Sequence, residues 1–165
     1  MGDAKRRRNS YDQCSGQEIW LDPRDINFTH DQIHYKFRNG VTLKNAFQKL
    51  LDETVTIEAY PKMKVVEIDG EYRSFSNRRL ALFRLYSIVK NEEDFKIAVD
   101  LVPASEIGHY DEKLSSKCGG EFVKVGNGGE YIGKDIYTTA FKHPALQLAC
   151  SVCDNKMKMI LDIKV

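Results

Sequence analysis

Leu43, Ala46, Phe47, Leu50 and Leu51 fall at i, i+3, i+4, i+7 and i+8, a single apolar stripe that predicts an amphipathic helix. A second helix is predicted from Ser76 or Asn77, and residues 80–89 are apolar around most of its circumference, as expected of a buried central helix. Shorter runs read as strands. Residues 18–22 form one, ended by Pro23, and residues 25–28 a second, with Ile26 and Phe28 facing inward. Val65, Val66 and Ile68 mark a third that ends at Asp69 and Gly70, a hairpin signal, with residues 71–75 returning. Residues 95–102 form a continuous β-type run stopped by Pro103. The order of returning strand, helix and strand predicts a βαβ crossover with its two strands parallel. Between the first strands and the first stripe, Thr29 and Gln32 have the spacing of a capping box. They predict a short helix that buries Ile33 and Phe37 and stops at Gly40. Beyond Pro103 the signal thins to a glycine-turned hairpin over residues 122–132 and short apolar runs at 146–152 and 159–165. Together these elements predict an α/β or α+β fold, a mixed sheet with flanking helices.

The chain has 165 residues, enough for one substantial core and short for two ordinary domains. Residues 1–16 read as a flexible basic tail carrying Lys5, Arg6, Arg7 and Arg8, and residues 17–165 as a single domain with a C-terminal extension from about 103. With 25 Lys and Arg against 24 Asp and Glu, net charge does not favour nonspecific adhesion to nucleic acid or anionic membrane, so local clusters matter more than the total. No run is long and apolar enough to span a bilayer, and the N-terminal stretch has no apolar signal core, which together predict an intracellular protein, cytoplasmic or nuclear. Cys14, Cys118, Cys150 and Cys153 are too sparse for a disulfide framework and read as free thiols.

Chemistry concentrates at two helix starts. Ser76 and Asn77 are good cap residues, but Arg78 and Arg79 sit in the first turn, where the helix dipole is positive and cations are unfavourable. A phosphate held between them would remove that cost; pairing with Glu67, Asp69 or Glu71 would do so as well. Thr29, His30 and Asp31 form the second cluster, with an imidazole and a carboxylate able to reach one ligand, although capping and the dipole also account for Thr29 and Asp31. His30 and His34 have helical metal-pair spacing without a third ligand to match, and Cys150 and Cys153 have zinc or redox spacing without a second pair. No Walker loop, dinucleotide fingerprint, G-x-S-x-G or H-E-x-x-H is present.

The series LDPRDINFTHDQI, VVEIDGEYRSFSNRRLALFRLY and KIAVDLV resembles the ParB and sulfiredoxin-like superfamily, specifically its ParB-like nuclease-type domains, over residues 20–102. Ser76 stands where closer variants carry Asp, and neither the G-x-x-R box nor the F-G-G-C-H-R loop occurs, which argues against the chromosome-segregation and sulfiredoxin activities. The resemblance implies that Asp69 and Gly70 hold a hairpin and that Ser76, Asn77, Arg78 and Arg79 line a phosphate-binding cleft. It places Thr29, His30 and Asp31 on the facing wall. It further implies a nucleotide or nucleic-acid ligand, with a nuclease, a nucleotide hydrolase or a phosphotransferase as the open enzymatic readings. In those, Arg78 and Arg79 stabilise phosphoryl charge, Asp31 or His30 supplies the base, and a divalent metal such as Mg2+ assists. The alternative is a non-catalytic nucleic-acid-binding or protein-interaction module that keeps the fold.

Overall fold

Asp69 and Gly70 both take positive φ, 53° and 79°, the backbone of a two-residue turn whose twist matches the strands on either side. They join β4 (Lys64–Ile68) to β5 (Glu71–Ser74) in register. The computed structural model describes residues 16–106, 116 and 118–148. Before the hairpin lie β1 (Gln17–Leu21), β2 (Ile26–Phe28), β3 (Gln32–Ile33) and helix α1 (Leu43–Leu51). After it come α2 (Asn77–Lys90), β6 (Ile97–Leu101), β7 (Val123–Val125) and β8 (Glu130–Ile132). The Thr42 hydroxyl accepts from Asn45 N (3.1 Å) to start α1, and Asn91 in the left-handed region ends α2.

Five strands form one sheet in the order β1-β6-β4-β5-β2, and three form a second, β3-β7-β8; the class is α+β. Leu80, Leu82, Phe83, Leu85 and Ile88 of α2 join Ile26, Phe28, Val65 and Val99 of the large sheet and Val123, Val125 and Ile132 of the small one in a single apolar cluster. Helix α2 touches both β2 and β8. No helix of the described residues is long and apolar enough to cross a membrane.

Two expectations are corrected. The helix predicted from Thr29 is absent: Gln32 and Ile33 pair in parallel with Lys124 and Val125, and Phe37 N bonds Val41 O (2.8 Å) across a tight turn. The ladder to β7 claims the backbone that a local helix would have used. The crossover also differs. Helix α2 leads from β5 to β6, yet β6 pairs with β4 and runs parallel to it, so β5 and β6 run in opposite directions. The free edge of β5 is taken by β2, in parallel.

Arg84, buried within α2, is the largest fully enclosed side chain among the described residues. Its guanidinium donates to the carbonyls of Pro23 (3.1 Å), Glu121 (2.6 Å) and Ile26, and lies 4.4 Å from the Phe28 ring centroid. Burial pushes its pKa down to about 9 against the opposing charges of Asp22 and Asp25, so it remains charged at neutral pH.

His143 gives the fold a pH dependence. Its Nδ1 accepts from Ala145 N (3.1 Å), so Nε2–H donates to Gln48 Oε1 (2.8 Å) and the ring is neutral. Burial and then the Lys44 charge lower its pKa, Asp52 acting the other way. The unfolded chain therefore takes up this proton first as pH falls. The contribution to stability is full above the ordinary histidine pKa of about 6.5, and declines below it until the folded pKa is reached. Urea denaturation from about pH 7.5 to 5 should show this decline, and His143→Gln should reduce it.

Candidate functional site

The first turn of α2 opens into a cleft of about 700 Å³ whose other walls are the turn at residues 37–41, the α1 face bearing Ala46 and Lys49, and the segment around Tyr60 and Pro61. Four cations line it: Arg38, Lys49, Arg78 and Arg79. Among the described residues no aspartate or glutamate lines it, and none of the four cations forms an ion pair. Glu71, a partner considered for the arginines, instead holds Arg73 (3.1 Å).

Arg78 and Arg79 are anchored on different segments. Arg78 Nη1 donates to Lys36 O (2.7 Å), while Arg79 Nη1 donates to Pro61 O (2.6 Å) and Lys62 O (3.2 Å). These contacts fix the guanidinium planes but supply no negative charge. Burial lowers the pKa of Arg79, the expected response of a half-buried cation without a carboxylate partner. Ser76 stands at the cap position, but its hydroxyl accepts from Arg79 Nη2 (2.9 Å) and caps no backbone N–H. The positive end of the α2 dipole therefore adds to the four side-chain charges.

Asn77 also lines the cleft, as expected, but its side-chain amide is engaged with Thr29. Its Oδ1 accepts from Thr29 N (3.0 Å), its Nδ2 donates to Thr29 Oγ1 (2.9 Å), and the Thr29 hydroxyl donates to Ser74 O (2.9 Å). Thr29 is completely buried, so these bonds clamp β2 to the start of α2 and leave no space between them. The expectation of a cleft between Thr29 and Asn77 is corrected accordingly: the two residues touch. Asn77→Ala removes both of its hydrogen bonds to Thr29 and is expected to cost about 1–3 kcal/mol, measured as a lower urea midpoint at unchanged slope.

His30 and Asp31 follow Thr29 into the β2–β3 connection, where Asp31 O accepts from Lys124 N (2.8 Å), and neither lines the cleft. Asp69 and Gly70 hold the hairpin as expected, but at the end of the sheet opposite α2's first turn, so they do not line the cleft either. His34 lies outside any helix, with Nδ1 accepting from Lys36 N (3.1 Å), so the helical His30–His34 pair does not form. Cys14, Cys150 and Cys153 lie outside the described residues, as does the basic run at residues 5–8; Cys118 is a free thiol.

Magnesium takes oxygen ligands, chiefly carboxylates. The residues of the cleft do not fit it, and among the described residues no group of three or more His, Cys, Asp and Glu is placed to hold a metal ion. Arg38 and Lys49 were not identifiable from sequence as site residues. Each is a single surface cation, on the 37–41 turn and in the last turn of α1, and only tertiary packing brings them opposite Arg78 and Arg79. Comparison with protein-family models, with curated proteins and with solved structures returned no match.

Proposed function

We propose that the cleft at the start of α2 binds a phosphate-bearing ligand, a nucleotide or a nucleic acid, without turning it over. The observation that carries this reading is the lining itself: four cations and a helix N-terminus converge with no carboxylate among the described residues of the cleft. Such an arrangement leaves uncompensated positive charge that an anion neutralises. The volume lies within the range of roughly 300–1,000 Å³ usual for ligand sites. The resemblance to ParB-like domains over residues 20–102 supports the same ligand class.

Binding is favoured over chemistry by the same lining. Among its described residues the cleft has neither an imidazole nor a carboxylate to act as base, and burial raises the pKa of the Tyr60 hydroxyl, which keeps it protonated at neutral pH. The test is a parallel titration with labelled nucleoside triphosphate and short DNA, with product release followed in the presence of Mg2+. Binding without release, weakened in Arg38→Ala/Lys49→Ala, is the expected result. Binding that the double substitution leaves intact would remove the cleft from consideration, and release of product would restore the enzymatic reading.

A further inference from the structure

We infer that β1 is the pairing edge of a twofold homodimer, in which Glu18 of one copy lies opposite Trp20 of the other and the two large sheets join into one.

The hydrogen-bond register shows what this edge offers. Asp100 N donates to Met63 O and Val102 N to Val65 O, both at 2.9 Å, so the even-numbered residues of β6 direct their backbone groups to β4. The odd-numbered ones face β1, where Leu101, Val99 and Ile97 lie opposite Gln17, Ile19 and Leu21. Residues opposed in this way exchange both their bonds, so Gln17, Ile19 and Leu21 are satisfied within the chain. Glu18 and Trp20 therefore point their N–H and C=O groups outward. Strand β1 ends the sheet order, and among the described residues no segment pairs with its outer side. It carries no lysine, proline or bulge, the devices that blunt natural edges.

The side chains mark the same edge. Ile19 and Leu21 pack against the core, which by alternation puts Glu18 and Trp20 on the opposite face of the sheet. There Trp20, the only tryptophan of the chain, is 59% exposed. A large aromatic side chain beside open backbone donors and acceptors is what interfaces bury.

Charge selects the occupant and its register. With Glu18 and Trp20 as the outward positions, a second β1 can pair antiparallel about Glu18, about Ile19 or about Trp20. Pairing about Glu18 opposes two glutamates, and pairing about Trp20 sets Glu18 against Asp22. Opposed like charges are unfavourable. Pairing about Ile19 opposes no carboxylates: Glu18 meets the partner's Trp20 twice over, with four main-chain hydrogen bonds, and Ile19 meets its own copy on the core face. Lys62 already pairs with Glu18 and with Asp100 (3.6 Å), so its ammonium comes within cation–π reach of the partner's Trp20. The strand is thus complementary to itself, which an arbitrary extended peptide is not.

The test is sedimentation velocity of the full chain under reducing conditions from about 1 to about 300 μM, the range suited to a small interface. The wild type should pass from monomer to dimer, and Trp20 emission should move to shorter wavelength over the same range. Trp20→Glu opposes carboxylates in both pairs and should weaken association at least about tenfold. Trp20→Lys sets a lysine opposite Glu18 and should associate at least about tenfold more tightly than Trp20→Glu. Glu18→Pro removes an outward donor without touching the ladder to β6 and should also weaken the dimer, with a wild-type far-UV spectrum. If that variant fails to fold, Trp20→Glu decides, since it leaves the backbone alone. A wild type that stays monomeric throughout would overturn the inference, and so would a dimer that Trp20→Glu leaves intact. Equal weakening by Trp20→Glu and Trp20→Lys would overturn the register.

Discussion

Arg84→Met is expected to lower the stability of the fold by about 3–5 kcal/mol. Methionine matches much of the arginine's volume, so the loss is not chiefly one of packing. Replacing a buried ion pair by apolar residues is often harmless because both charges leave together. Here the acceptors are the backbone carbonyls of Pro23, Ile26 and Glu121, which no substitution at residue 84 removes. Each hydrogen bond from a charged donor contributes about 1.5–3 kcal/mol, and the loss of the cation over the Phe28 ring adds to the deficit. Arg84→Lys keeps the charge but offers one point donor to three acceptors drawn from separate segments, and should fall between the wild type and Arg84→Met. Guanidinium denaturation with comparison of midpoints checks both; a midpoint for Arg84→Met within error of wild type would show that the carbonyls find other donors.

The second large effect is expected at Lys49. Lys49→Glu puts a carboxylate into a lining that has none among its described residues and reverses one of four positive charges. A pair of charges near a protein surface interacts by a few kcal/mol before screening, so a reversal should weaken tripolyphosphate binding by about 10–100-fold, most strongly at low salt. Lys49 makes no ion pair among the described residues, so the folded state should be little affected. That separates it from Arg78 and Arg79, whose bonds to the carbonyls of Lys36, Pro61 and Lys62 brace the cleft walls and whose loss would alter shape as well as charge. Calorimetric titration of wild type and Lys49→Glu at two salt concentrations reads the effect, and equal affinities would show that Lys49 does not face the ligand.

The elements legible in the sequence are those set by local pattern. The apolar stripe from Leu43 to Leu51 and the Asp69 and Gly70 turn need only their neighbours, and both stand where they were read. Thr29 misleads because its hydroxyl has a better use than a local cap: it donates to the carbonyl of Ser74, 45 residues away, and its own N–H donates to Asn77. The paired arginines were visible as an unfavourable start to a helix. Their partners in the cleft were not, because Arg38 and Lys49 belong to no shared periodicity and meet them only through packing. Arg84 did leave a signal, a lone charge inside the apolar run of α2, which is the mark of a buried cation with several acceptors.

The most direct measurement is an amide shift map of the 15N-labelled full chain titrated with inorganic tripolyphosphate. The backbone N–H groups of Asn77, Arg78 and Arg79 should move first and furthest, because they form the open positive end of α2, with smaller changes at residues 38–41 and 60–62. Saturable binding that leaves those three amides in place, or shifts centred on His30 and Asp31, would contradict a phosphate site at the start of α2.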